Sequence, residues 1–355
     1  MKKRMSNIEK CEKYMQKQRI VGSKIFDFEL NRETDEVLLK RYYTDNRDFR
    51  VIEIPEFVTG IAKNDVGVNE VTVFAYVNQS LKVINKSHIT NMNGLFSRFN
   101  GRNLDLSEFR TDGVTDMNGM FNMCQNLDEL DLYSFDTSKV RDMSSMFSHC
   151  EKLEKINISS FDTSNVECMN FMFGSCRYLK SLNIKKFNTS RVRDMSFMFM
   201  YCEHLTELDI SNFNTSKVVN MSGMFEDCHE LKNLDLSNFD TRKVMYMNTM
   251  FGGCRSLEEV KLDGFDTHKV LDMSYMFDGC SELTKLELTS FNTFGLKHAY
   301  AMFNGCHKLK ELDLTSFNFK GIESKERLFH ECYKLDNLKT TDGTILEEYR
   351  LERRQ

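Results

Sequence analysis

The apolar positions of this chain recur with a fixed step over most of its length. One unit reads Leu205-x-x-Leu208-Asp-Ile210-x-x-Phe213-Asn-Thr-Ser-Lys-Val218-x-x-Met221-x-x-Met224-Phe225-x-x-Cys228. Its first part, Leu-x-x-Leu-x-Ile, alternates inward and outward positions and predicts a short strand. Its second part places Val, Met, Met, Phe and Cys at i, i+3, i+6, i+7 and i+10, which predicts one face of a short helix. The Asn/Asp-Thr-Ser between them predicts a turn and a helix N-cap, because these side chains accept orphan amide protons.

The step is 26 residues. Nine of the 11 cysteines keep it, from Cys124 through Cys150 and onward to Cys332; only Cys11 and Cys168 fall outside the series. Phe121 to Phe329 and Phe109 to Phe317 form two phenylalanine columns, and 15 of the 22 methionines lie in two more. One unit cannot bury its apolar stripe alone, whereas stacked units share a continuous core. A parallel sheet at ~4.8 Å per rung over roughly ten rungs would span about 45–50 Å.

The end units depart from the pattern, as capping units should. Ile89, Met92, Leu95 and Phe96 match the first unit, with Phe99 in the cysteine position. Toward the far end Ala299 and Lys325 take one methionine column and Leu328 the other, and Ile345, Leu346, Tyr349 and Leu351 predict a closing amphipathic helix. Before the repeats, a polar helix is expected over Asn7–Gln18, with strands near Lys24–Leu30, Val37–Tyr43, Arg50–Ile54 and Val71–Val77. The expected organisation is a cap region over 1–84, a solenoid over 85–338 and a C-terminal cap over 339–355. The expected fold class is an α/β repeat solenoid, a right-handed stack of strand, turn and short-helix units.

Composition narrows the function classes. A net charge of −5, from 48 basic and 53 acidic residues, lacks the basic footprint of a nucleic-acid binder and argues against direct nucleic-acid binding. No apolar run is long enough for a membrane-spanning helix. Met1-Lys2-Lys3-Arg4 is followed by Glu9, Lys10, Glu12 and Lys13 rather than an apolar core, so a cytoplasmic location is expected.

The phrase from Leu234 to Cys254, Leu-Asp-Leu-Ser-Asn-Phe-Asp-Thr-x-Lys-Val-x-x-Met-x-x-Met-Phe-x-x-Cys, resembles the BspA-like bacterial leucine-rich repeats, also called the Mycoplasma-type lipoprotein repeat. The resemblance covers about residues 85–338. It implies a leucine-rich-repeat solenoid, and family members are usually surface or secreted proteins that bind host proteins or other cells.

Chemistry-bearing motifs are missing from the pattern. Cysteines in single file cannot converge on one metal, no Cys-x-x-Cys pair exists, and a helical face shared with Met and Phe makes each thiol a small buried hydrophobe. The eight histidines are scattered over the repeat, only His229 and His307 sharing a position, and there is no phosphate-binding glycine loop. No cofactor, metal or catalytic residue is expected.

Two surfaces remain. The outward columns of the strand face hold Asp105, Glu129, Asp131, Glu207, Asp209, Asp235, Glu259, Glu287, Glu311 and Asp313, with lysines interspersed. They form either a solvated face or an acidic strip for a basic partner. On the helix face, the positions one and five after Val would point outward. There Phe171, Phe197, Val219, Met245, Leu271 and Tyr275, with Met200 nearby, form an apolar cluster. The expected function is a non-enzymatic protein-binding scaffold that presents a curved surface to a partner with a basic or apolar contact face. It could serve as an intracellular inhibitor or adaptor, with self-association left open. The alternatives are an exported adhesin or host-contact protein and an enzyme whose site lies in residues 1–84.

Overall fold

The computed structural model describes residues 5–21, 26–42, 51–62, 80–85 and 87–352. The chain is a solenoid with the 26-residue step and divides into two compact units, Met1–Asn165 and Val166–Gln355.

The first unit opens with α1 (Asn7–Val21). A reciprocal capping box starts it: the Glu9 N–H donates to Ser6 Oγ at 3.1 Å and the Ser6 N–H to Glu9 Oε2 at 2.9 Å. Asp35 adds a second cap, its carboxylate accepting the Asn7 and Ile8 amides at 3.0 and 3.1 Å. Asp35 lies in the hairpin between β1 (Phe26–Asn31) and β2 (Glu36–Tyr42), which pair antiparallel. Next come β3 (Val51–Ile54), β4 (Gly60–Ile61) and β5 (Leu81–Asn85). β4 pairs with β2, and β5 lies between β3 and the first repeat strand, β6 (Leu104–Asp105), all three parallel. The helix expected near Asn7 and the strands expected near residues 24, 37 and 50 are therefore present. The strand expected over Val71–Val77 lies outside the described residues. The unit continues into β7 (Glu129–Asp131) and β8 (Lys155–Asn157), paired in register 26 residues apart.

The second unit carries β9 (Asn233–Asp235) paired with β10 (Glu259–Lys261), and β11 (Glu311–Asp313) paired with β12 (Asn337–Lys339). It ends in α2 (Gly343–Glu352). In both units Val, Met, Met, Phe and Cys point inward with essentially no exposure. The phenylalanine column stacks ring on ring: Phe199, Phe225, Phe251 and Phe277 follow one another at 5.8, 5.7 and 5.3 Å.

The second limb of each repeat is not the short helix that the spacing predicts. It is a run of tight turns. In the rung of Val192, the amides of Met195, Phe197, Phe199 and Tyr201 donate to carbonyls of the next rung at 2.7–3.0 Å, while those of Met198, Met200 and Cys202 close turns onto the third residue back. Alternate amides thus point along the stack and form a ladder. The reason is physical. About eleven residues rich in Ser, Asn and Gly are too short and too poor in helix formers to hold a helix. An Asx-turn (Ser196 N–H to Asp194 Oδ1, 2.9 Å) also diverts the chain at the start of the limb.

The expected N-cap is corrected too. The buried threonine of Asn/Asp-Thr-Ser reaches across to the next rung: Thr215 Oγ1 donates to the Asp240 carbonyl at 3.0 Å and accepts the Asp240 amide at 2.8 Å. Thr137 does the same with Asp162 in the first unit. Each threonine clips adjacent rungs together.

The last rung has no successor to accept its amides, and α2 supplies acceptors. Phe329 N–H donates to Glu352 Oε2 at 2.9 Å and Leu328 N–H to Glu348 Oε1 at 3.4 Å, where Phe303 one rung earlier uses the Leu328 carbonyl. Ile345 is fully buried and Tyr349 meets Phe329 edge-on. Two carboxylates thus take the place of a missing rung's carbonyls, although burial raises the pKa of both.

Candidate interaction surfaces

The strand face is not a bare acidic strip. Asp105, Asp209, Asp235 and Asp313 each close the turn that follows them, accepting the amide and the hydroxyl of Ser107, Ser211, Ser237 and Thr315. These bonds hold the four carboxyls below the usual carboxylate range, and Asp235, with Lys261 beside it, falls to about 2. Lysines answer the charge. Lys82 lies 3.7 Å from Asp105, Lys155 2.5 Å from Glu129, Lys185 3.2 Å from Asp209, Lys261 3.0 Å from Asp235 and Lys339 3.8 Å from Asp313. Lys285 pairs with Glu287 at 2.9 Å, and Glu259 and Glu311 raise its pKa further. Asp131 accepts from the Asn157 amide at 2.9 Å. Glu207 is exposed in a shallow polar groove with Lys185, Asp209, Asp235, Glu259 and Lys261. Within each unit, lysines thus stand among the carboxylates of the strand columns.

The turn limb holds the second set. In each rung the fifth residue after Val adopts a left-handed backbone. Gly119 does so in the first unit at φ 56°, and Gly223 in the second at φ 57°. Phe171, Phe197 and Tyr275 do so at 55°, 57° and 59°. Bulky side chains rarely accept this conformation, which costs about 1–2 kcal/mol per residue. Phe171 and Phe197 are half-buried and stack face to face, centroids 4.6 Å apart at 20°. The Phe197 ring lies over Gly223, where a Cβ would come within 2.3 Å of it. Met200 is half-buried on the same limb. Val219, Met245 and Leu271 are also half-buried and linked rung to rung by backbone hydrogen bonds of 2.8 and 2.9 Å, and Tyr275 is exposed. The limb places Phe171, Phe197 and Met200 together, and Val219, Met245 and Leu271 in a file at its start.

Three stretches of the chain, residues 68–182, 175–261 and 253–344, match the family described as "Mycoplasma protein of unknown function, DUF285". The chain belongs to this family. Solved structures with a similar fold include a leucine-rich repeat protein from Bacteroides ovatus, 16% identical, covering 89% of this chain and 87% of that one at a TM-score of 0.43. A leucine-rich cell surface protein from Faecalibacterium prausnitzii is 15% identical, covers 91% and 95%, and has a TM-score of 0.30. A leucine-rich repeat protein from Eubacterium ventriosum is 14% identical, covers 80% and 93%, and has a TM-score of 0.34. No curated protein matches the chain. The resemblance carried by Leu234–Cys254 is borne out by the family match.

In this DUF285 protein the cysteine ladder is structural. Eight of its thiols donate to a phenylalanine carbonyl of the preceding rung, as Cys202 does to Phe173 at 3.3 Å and Cys254 to Phe225 at 3.0 Å. Burial pushes the Cys202 thiol up to about 12, which suppresses thiolate chemistry. His204, His229, His268 and His307 pair with carboxylates, His204 Nδ1 with Glu230 at 2.8 Å. Among the described residues no group of three or more His, Cys, Asp or Glu is arranged to hold a metal, and no helix is long and apolar enough to cross a membrane.

Among the described residues, sequence reasoning missed five exposed aromatics. Phe294 is 78% exposed, Tyr333 69% and Tyr133 66%. Tyr178 and Tyr246 are exposed too, Tyr178 packing its ring against His204 at 5.1 Å. Each stands in a column that is polar in most rungs, as Tyr133 does among Ser107, Ser159, Ser211 and Ser237. Comparing columns for off-pattern aromatics would have found them.

Proposed function

We propose that this chain is a non-enzymatic protein-binding scaffold whose principal contact lies on the turn limb of the second unit, around Phe171, Phe197 and Met200. The observation that carries this reading is the stacked, half-buried phenylalanine pair on left-handed backbone, at positions that hold Gly or Ser in several other rungs. Backbone strain of this kind persists where it serves a function, and aromatic anchors dominate binding energy. The ladder beneath fixes the rings, so little entropy is lost on binding. Residues 1–84 and 339–355 act as caps of the stack.

The test is affinity capture from native lysate with the tagged chain, followed by mass spectrometry, using three forms. A stoichiometric partner held by the wild type should be lost from Phe171→Ser/Phe197→Ser. It should be retained by the fourfold Asp→Asn variant at Asp131, Asp209, Asp235 and Asp313. Retention by the first variant with loss from the second would move the contact to the strand face and sink this placement.

A further inference from the structure

Beside the phenylalanine pair lies a ledge of carboxylates, and the two share one spot. A Cβ built on Gly223 would lie 2.3 Å from the Phe197 ring and 2.8 Å from Glu226 Oε2. The ring edge and the carboxylate therefore converge over that glycine. One residue on, Asp227 also has a left-handed backbone (φ 56°) and reaches over Gly253, its Oδ1 2.1 Å from where a Cβ would sit. Two glycines thus clear the room in which Phe197, Glu226 and Asp227 lie along the stack. The neighbours answer this negative charge only in part. Glu226 accepts from Thr249 Oγ1 at 3.2 Å, and His229 Nε2 is 3.1 Å from Asp227. The Arg177 guanidinium is engaged with Glu203 at 3.0 Å. Burial, with Asp227 close by, raises the Glu226 pKa, so an arriving cation would gain more there than at a solvated carboxylate.

We infer that this surface docks a segment of a partner protein that carries an Arg or Lys next to an aromatic or aliphatic side chain. The apolar residue would cover Phe171, Phe197 and Met200, and the cation would sit between Glu226 and Asp227 beside the Phe197 ring, where the two carboxylates attract it. Phosphate-bearing partners, a nucleic acid or an anionic membrane, are disfavoured by the same carboxylates. The inference rests on the turn-limb reading of the function and adds the partner's chemistry.

The probe is a phage-displayed library of random dodecapeptides, panned on the full chain at low salt, with selected peptides resynthesised. Enriched sequences should place Lys or Arg within a few residues of Phe, Leu, Tyr or Trp. Their affinity should drop about 30-fold with Phe197→Ser and about tenfold with Glu226→Gln/Asp227→Asn, and should weaken with added salt. The acidic-pair variant keeps the fold, since Gln removes a half-buried charge and Asn tolerates left-handed backbone; circular dichroism checks this. Enriched peptides without basic residues, or undiminished binding to the acidic-pair variant, would overturn the basic partner. Peptides that bind Phe171→Ser/Phe197→Ser as well as the wild type would overturn this docking site and leave a scaffold with another face. Failure to select any peptide would count against both readings. A dimer in sedimentation that Phe197→Ser dissolves would assign the surface to a second copy and overturn the inference.

Discussion

Phe225→Ala is expected to cost about 4 kcal/mol of unfolding free energy, close to the upper range for a large-to-small change in a core. Phe225 has no exposure and is held between the Phe199 and Phe251 rings at 5.8 and 5.7 Å, both at 8°. Its backbone is fixed from both sides, the amide by the Met250 carbonyl at 2.9 Å and the carbonyl by the Cys254 thiol at 3.0 Å. The rung therefore cannot collapse into the cavity. Phe225→Leu should cost only about 1–1.5 kcal/mol, because most of the volume is kept. Denaturant unfolding measures both. Because each rung is stabilised chiefly by its neighbours, amide exchange should quicken around residues 199 and 251 before it does near α2. A loss below about 1 kcal/mol for the alanine variant would mean that the ring column is not the spine of the stack.

The second large effect is polar. Thr215→Val should cost about 2–3 kcal/mol, whereas Thr215→Ser should cost under about 1. The Thr215 hydroxyl is 1% exposed and makes two bonds to the next rung, accepting the Asp240 amide and donating to the Asp240 carbonyl. Valine keeps the shape and removes both, leaving a donor and an acceptor facing a methyl group. The same denaturant titration decides the point: equal losses for Val and Ser would show that the threonine contributes packing alone.

These two residues mark how far the sequence could be read. Phe225 belongs to a column whose step of 26 identifies it as core, and the structure buries it as expected. The solenoid, its terminal elements and the structural role of the cysteines were legible for the same reason: a burial requirement repeated nine times leaves a periodic trace. The geometry of the turn limb was not. Val218, Met221, Met224 and Phe225 satisfy a helical face and a series of three-residue turns equally well, and apolar spacing cannot separate them. The discriminating signal was the backbone-permissive residues. Glycine recurs in two columns four residues apart, at Gly119 and Gly223 and at Gly253 and Gly279, and all four have positive φ. Thr215 looked like an N-cap because its partner, Asp240, is 25 residues away and invisible to local reasoning.

The candidate surfaces show the same divide. The strand-face aspartates were visible as charge, but Asp235 spends its carboxylate on Ser237 and Lys261, which a one-column reading does not reveal. Phe171 and Phe197 were found from a helical wheel that does not apply, yet they do reach the surface, in a column that is small or polar in most other rungs. Their stacking and the carboxylates beside Phe197 depend on side chains one rung away, and only the structure supplies those.

The central claim is that the phenylalanine pair is kept for contact rather than for stability, and thermal unfolding of Phe171→Gly/Phe197→Gly tests it most directly. Glycine relieves the left-handed strain at both sites, which offsets the loss of two half-buried rings, each effect being about 1–2 kcal/mol per residue. The account predicts a Tm within a few degrees of the wild type. A fall as large as that of Phe225→Ala would contradict it and make the pair part of the core.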